Sequence, residues 1–420
     1  MKNPVICFCL VLLAESCFAA PTISNVTLGQ DGARRVHVSY SLSEPAIVAA
    51  EFFADGESVG DEPLRTGLSG DVFRPVRDGV RSFTWNVRKA WPGRKVKAFS
   101  VRLTPIALAS APTWMDIDLE NGGTRYYERE SQLVGGSALD ETYKTTHILL
   151  KRIRAAGVPW RMGGCPSLRN QGGRWGNPHL VTLTEDFYCA VYELTQAQAG
   201  RFYPLAGQKW TGDFLPAHRL SYEALRGASD VANWPEHGHS VAEGSLLHIL
   251  RRRCGQQVDL LTEAQWHFAA GVAADPRRFP GGGWGNDDGM AVADACAWTA
   301  ENSGGRLHEV GLKLANPFGL YDMNGNGGEY VLDWCQTVMS PASVVDPTGP
   351  SSISVSDGEA DIPTHDGMAT ETVGRGYCGG CAQTAWNYAA ATYRNWWKSS
   401  GESVYSAVRI GAPGTPRAVE

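Results

Sequence analysis

The sequence predicts an α+β protein: a small β-sandwich at the amino end, then a longer, irregular domain in which strands, short helices and loops mix. Three observations carry this. Short apolar–polar alternations recur at regular spacing from residue 21 to 108, with no helical period among them. From residue 146 onward, strand-like runs alternate with short helical ones. The chain of 420 residues also holds 48 Gly and 14 Trp, a glycine share of about 11% against an ordinary ~7%. Glycine permits irregular backbone and tryptophan buries much area per residue, so the pair predicts loops pinned by aromatic anchors.

Taken in order, residues 1–20 read as an export signal, later removed. Lys2 gives the positive start, residues 5–13 the apolar core, and Cys17-Phe18-Ala19 a small-x-small exit. The apolar run is well short of the roughly 20 residues of a spanning helix, and no other stretch is long and apolar enough for a transmembrane anchor. Strands are expected at 35–41 (R-V-H-V-S-Y-S), 46–53, 82–87 (S-F-T-W-N-V) and 95–103, separated by Gly/Asp/Asn clusters. That spacing fits an immunoglobulin- or fibronectin-III-like module over 21–108. Residues 109–145, broken by Asn121-Gly122-Gly123 and Gly135-Gly136, read as a connector. In the domain of residues 146–415, strands are expected at 147–153 and 181–183 and helices at 196–202, 221–225 and 263–270, the last capped by Thr262. Past Gly271 the periodicity nearly vanishes, and loops packed around aromatics are expected.

Charge and cysteines bound the partners. With 38 basic and 44 acidic side chains the net charge is −6. This excludes a general nucleic-acid binder, which needs a cationic face; Arg251-Arg252-Arg253 reads as a solvated helix end. Seven cysteines lie beyond the signal: Cys165, Cys189, Cys254, Cys296, Cys335, Cys378 and Cys381. Export, to the periplasm, the envelope or outside the cell, permits disulfides. The odd count leaves at least one thiol unpaired or coordinated.

The motif order from residue 159 resembles the formylglycine-generating enzyme, or sulfatase-modifying factor, family. Trp160-Arg161-Met162-Gly163 is similar to its F-x-M-G opening, and F-Y-C-A-V-Y-E-L-T-Q (187–196) to F-Y-I-x-x-x-E-V-T-x. P-A-H-R-L-S-Y-E-A (216–224) resembles P-V-x-x-V-S-W-x-D-A, and L-L-T-E-A-Q-W-H-F-A-A (260–270) the hallmark L-P-T-E-A-E-W-E-Y-A-A. Trp284-Gly285-Asn286 matches P-W-G-N, and N-P-F-G-L-Y-D-M-N-G-N-G-G-E (316–329) is nearly N-x-F-G-L-Y-D-M-x-G-N-V-W-E. Ala407-Val408-Arg409 stands where G-F-R closes the domain. Each piece alone is weak; seven in order is strong. The resemblance implies an irregular, C-type-lectin-related fold over residues 146–415 and leaves 21–108 uncovered.

Two metals follow from the resemblance. Calcium takes six to eight oxygens, which a glycine-rich turn between two carboxylates can supply. In the family the ligands match the Asp322 side chain, the Gly325 and Gly327 carbonyls and the Glu329 carboxylate. The competing reading is a tight turn whose carboxylates accept backbone N–H groups. Copper in the family is held by two thiolates separated by four residues, after R-G-G-S-W/F, and oxidises a sulfatase cysteine to formylglycine with O2. Here Cys378-Gly379-Gly380-Cys381 is the candidate catalytic pair, but its spacing differs. Anchored on Arg375-Gly376, Cys381 takes the first copper position and Trp386 the second. Anchored on Gly379-Gly380, neither position is cysteine. A disulfide between Cys378 and Cys381, or inert thiols, is the competing outcome.

The histidines carry no recognised pattern. His267 lies one turn after Glu263, in place of the motif's second glutamate, and lacks H-E-x-x-H. His237-Gly238-His239 reads as an exposed loop pair, and His218, His308 and His365 are isolated. In the aromatic stretch 386–397 (W-N-Y-A-A-A-T-Y-R-N-W-W), Trp386, Tyr393, Arg394 and Trp396 are expected to line a surface cleft for a protein, peptide or glycan ligand. Alternatively, Trp396 and Trp397 plug the core. The leading expectation is an exported, divergent family member that binds through this cleft; the alternative is an O2-dependent oxidase acting on a sulfatase cysteine.

Overall fold

The computed structural model describes residues 20–94, 96–163, 178–271, 288–336, 342–352 and 372–419. Residues 1–19, read above as an export signal, Cys165, the Trp284-Gly285-Asn286 motif and His365 lie outside them. The described residues mix sheet and short helix throughout, and no helix among them is long and apolar enough to cross a membrane.

The amino-terminal alternations become strands. Arg35–Leu42 pairs antiparallel with Ile23–Gln30 on one side and with Gly79–Asn86 on the other. Ala46–Ala54 pairs along its whole length with Phe99–Ala107. The period of two turns Val36, Val38, Tyr40 and Leu42 inward. There they share one core with Val48, Phe52 and Trp85, and the Trp85 indole N–H donates to the Pro63 carbonyl at 3.0 Å. The first strand, Ile23–Gln30, is exposed along most of its length, which hides the alternation that marks its neighbours.

Residues 109–145, expected as a connector, are built into the next layer. Trp114–Asp118 and Thr124–Tyr127 form one side of a five-stranded sheet continued by His147–Ile153, Phe187–Ala190 and Gly411–Pro413. The same segment grips the first module. The Tyr126 N–H donates to Phe73 O at 2.6 Å, Arg125 donates to the Leu68 and Val72 carbonyls, and Arg129 pairs with Asp61 at 2.6 Å. The β-module is thus docked on the larger domain.

Thr262 caps the helix Glu263–Ala269 as its sequence requires. Its hydroxyl accepts from Gln265 N at 3.1 Å while Gln265 Oε1 accepts from Thr262 N at 3.0 Å. The region past Gly271 is more regular than expected. It contributes a helix, Asp288–Cys296, and a sheet in which Gly328–Gln336 lies between Thr372–Cys378 and Ser406–Ala407, with Arg394–Trp397 beyond Thr372–Cys378. Tyr330 to Cys335 are buried without alternation, so period-two reading finds no strand there. The register sets Glu329 opposite Cys378, and Cys378 opposite Arg394. Three chemically distinct side chains are thereby aligned across adjacent strands.

Candidate functional site

The capped helix presents Glu263 to this sheet. The Arg394 guanidinium grips Glu263 with Nε on Oε1 and with Nη2 on Oε2 at 2.9 Å. The Glu263 N–H in turn donates to Asp333 Oδ2 at 2.7 Å. A cavity of about 370 Å³ opens over this group, lined by Glu263, Asp333, Trp334, Arg394, His179 and the 344–350 segment. Burial raises the Glu263 carboxyl, but the Arg394 charge more than offsets it and holds Glu263 well below the carboxylate range. For Asp333 the charges of Arg394 and Arg375 act only weakly against burial. Burial and the neighbouring Glu263 charge push it up to about 8. One guanidinium therefore serves two acids, one ionised and one protonated at neutral pH. The site offers a ligand both a proton donor and acceptors.

Beneath the cavity lie Cys378 and His267. Cys378 Sγ is 3.9 Å from His267 Nε2, and that nitrogen is 3.7 Å from Glu263 Oε1. Cys378 and His267 are both fully buried. This is not a nucleophile relay: the carboxylate and the thiol address the same ring nitrogen, whereas a relay needs the carboxylate on the other.

Cys378 and Cys381 carry no disulfide, so the paired-cysteine reading gives way to separate thiols. Burial pushes Cys378 well above its ordinary value and raises Cys381, whose backbone N–H is tied to the Thr384 hydroxyl at 2.8 Å. A two-thiolate copper centre needs both sulfurs ionised and reachable. These thiols fit it poorly.

Of the four expected cleft residues, Arg394 lines the cavity. Tyr393 is buried in a small alanine cluster against which Trp386 packs, and Trp396 is half-buried in its strand. Trp397, considered for the core, is exposed. Spacing placed the aromatics near one another, but the strand Arg394–Trp397 sends its neighbouring side chains to opposite faces.

In the Asp322–Glu329 loop, Glu329 is clasped by Arg409, with Nη2 on Oε1 at 2.7 Å and Nε 2.9 Å from each oxygen, while Trp266 Nε1 donates to Oε2 at 2.6 Å. Asp322 Oδ2 accepts from Gly311 N at 2.7 Å. Glu193, which sequence reading passed over, accepts from Asn326 Nδ2 at 2.6 Å and from Gly327 N at 3.0 Å. Burial lifts Asp322 to about 6 and Glu193 well above its usual range, each raised further by its acidic neighbours. Three buried carboxylates thus share one guanidinium. For calcium the fit is one of charge: the surplus negative charge suits a divalent cation. The Glu329 oxygens, however, are already engaged by the protein's own cation.

Asp333, Glu193 and Arg409 are the site residues that sequence reasoning left without a role. A signal existed for Glu193, a lone acid in the apolar run C-A-V-Y-E-L, where a buried charge demands a partner.

Residues 158–409 match the sulfatase-modifying factor enzyme 1-like domain. A formylglycine-generating enzyme of Thermomonospora curvata is 33% identical over 104 residues, which are 22% of this chain and 33% of that protein. The match thus spans about a third of that relative's length. Among solved structures, Treponema denticola variable protein 1 aligns with 64% of this chain and 95% of its own at 19% identity and TM-score 0.44. PvdO from Pseudomonas aeruginosa aligns with 63% and 94% at 17% identity and TM-score 0.45. The family match takes in both Glu263 and Arg394, Asp333, the Asp322–Glu329 loop and the closing Arg409. With well over half the chain matched in this way, the protein belongs to the sulfatase-modifying factor enzyme 1-like family.

Proposed function

We propose that this protein keeps the family scaffold without its two-thiolate chemistry, and binds a polar group of a peptide or glycan in the cavity over Glu263, Asp333 and Arg394. The observation that carries the reading is the disposition of polar groups. The ion pair and the second carboxyl line a cavity, while Cys378 and Cys381 are buried thiols, lifted away from the ionised form. Lining groups of this kind recognise hydroxyls, amides and amines by hydrogen bonding, and Trp334 supplies an apolar wall. The β-module of residues 21–108, read as a sandwich docked on this domain, serves presentation in an exported protein. Calcium, in this reading, is a structural ion held by Asp322 with the Gly325 and Gly327 carbonyls, and it supplies counter-charge rather than chemistry.

The test is a binding panel of peptides and oligosaccharides against the mature chain, by calorimetry. Binding that weakens at least tenfold in Asp333→Leu, with the fold retained by circular dichroism, supports the reading. Binding indifferent to that change places the ligand elsewhere. The family match favours a second reading, copper-dependent oxidation of a sulfatase cysteine, which the closing experiment of the Discussion separates from the first.

A further inference from the structure

We propose that Glu263, His267 and Cys378 form a buried binding site for a divalent ion of the zinc class, which shares Cys378 with the candidate copper pair and is separate from the calcium loop that the family resemblance implies. The three side chains are buried, and their ligand atoms all lie within 4.8 Å of one another. No other such group of three occurs among the described residues. They supply one carboxylate oxygen, one imidazole nitrogen and one sulfur, the donor types that zinc accepts together. A hard cation such as calcium would not use the thiol.

The geometry is convergent. Zinc bonds of about 2.0–2.3 Å in a tetrahedron set neighbouring ligand atoms roughly 3.3–3.6 Å apart. The observed spacings are 3.7 Å from Nε2 to Glu263 Oε1 and 3.9 Å from Nε2 to Cys378 Sγ. Both of these spacings need a contraction of only a few tenths of an ångström, and the Glu263–Cys378 spacing lies within 4.8 Å. As hydrogen bonds the same contacts are long, and His267 Nδ1 has no hydrogen-bond partner among the described residues. A buried imidazole so poorly served at both nitrogens is unusual in a folded protein. An ion on Nε2 gives that nitrogen a strong partner.

The donors are also held in place. Glu263 and His267 stand one turn apart on the capped helix, and so share a face. Arg394 fixes the Glu263 carboxylate through both oxygens, which still leaves lone pairs for an ion. Cys378 ends its strand in register with Arg394. His267 and Cys378 are fully buried, so the ion would enter during folding and brace the helix against the sheet.

Cobalt(II), added during refolding of the full mature chain, reports on the site by its thiolate charge-transfer absorption. We expect stoichiometric binding with that band, displacement by zinc(II), loss of the band in Cys378→Ser and His267→Gln, and its retention in Cys381→Ser. Should the first two variants fail to fold, zinc-edge X-ray absorption of the wild-type protein decides, with one sulfur among nitrogen and oxygen neighbours expected. A folded wild-type protein without the band, a band that survives Cys378→Ser, or a zinc shell with no sulfur or more than one overturns the proposal.

Discussion

Arg409 and Glu329 form a fully buried ion pair at the base of the Asp322–Glu329 loop, with three guanidinium contacts of 2.7–2.9 Å to the carboxylate. The same guanidinium donates to the Ala190 carbonyl at 2.9 Å and the Tyr321 carbonyl at 2.8 Å, so one side chain ties the loop to a strand of the other sheet. Removing it would leave Glu329 buried without a cation, beside Asp322 and Glu193. We expect Arg409→Met to cost about 3–5 kcal/mol, and Arg409→Lys to recover little of it because an ammonium cannot reproduce the forked contacts. Urea unfolding of the two variants measures both.

Calcium should stabilise the protein through the surplus charge of this loop. Excess calcium is expected to raise the melting temperature by roughly 3–10 °C, and a chelator to reverse it. Asp322→Asn should abolish the response. A melting temperature indifferent to both calcium and chelator would remove calcium from the account and leave Arg409 and Lys144 as the loop's counter-charges.

The loop's backbone is equally demanding. Gly325 has φ +75°, and a Cβ there would meet the Trp298 carbonyl oxygen at 2.3 Å. Gly304 has φ +62° with open space around it. Gly304→Ala should therefore cost only the left-handed strain, about 1–2 kcal/mol. Gly325→Ala should cost clearly more, since backbone must move. Equal losses in thermal unfolding would contradict the packing described.

A pH-dependent contribution is expected from His147, whose Nδ1 lies 2.7 Å from Asp116 Oδ1. Burial lowers its pKa, but the hydrogen bond and charge of Asp116 more than compensate, and the net shift is upward. A histidine raised on folding stabilises fully below its unfolded pKa and loses that contribution as pH rises through the folded value. The stability gap between the wild type and His147→Gln should thus be larger at pH 5.5 than at pH 9. A gap that is constant, or that widens at high pH, refutes this pairing.

How much of this was legible depended on whether the cause was local. The helix at 263 was readable because its cap is four residues of text, Thr262 to Gln265. The strands of the first module were readable where one face is solvated. The helix Leu246–Cys254 was seen only as its arginine-rich end. Its apolar face (Leu246, Leu247, Leu250, Cys254), the Ser245 cap and Gly255 at φ +71° were all in the sequence. The site was harder. Cys378 and His267 are 111 residues apart, and only strand register brings the thiol to the imidazole. Asp333 gave no signal, because a buried acid whose proton is set by burial and a neighbouring carboxylate becomes visible only when its neighbours are placed.

The most direct measurement is the conversion of a C-x-P-x-R sulfatase peptide by the purified mature chain, loaded with copper(I) under O2 and read by mass spectrometry. Buried, un-ionised thiols at 378 and 381 predict recovery of the peptide with its cysteine intact. Formation of an aldehyde that disappears in Cys381→Ser would contradict the account and make the protein an oxidase.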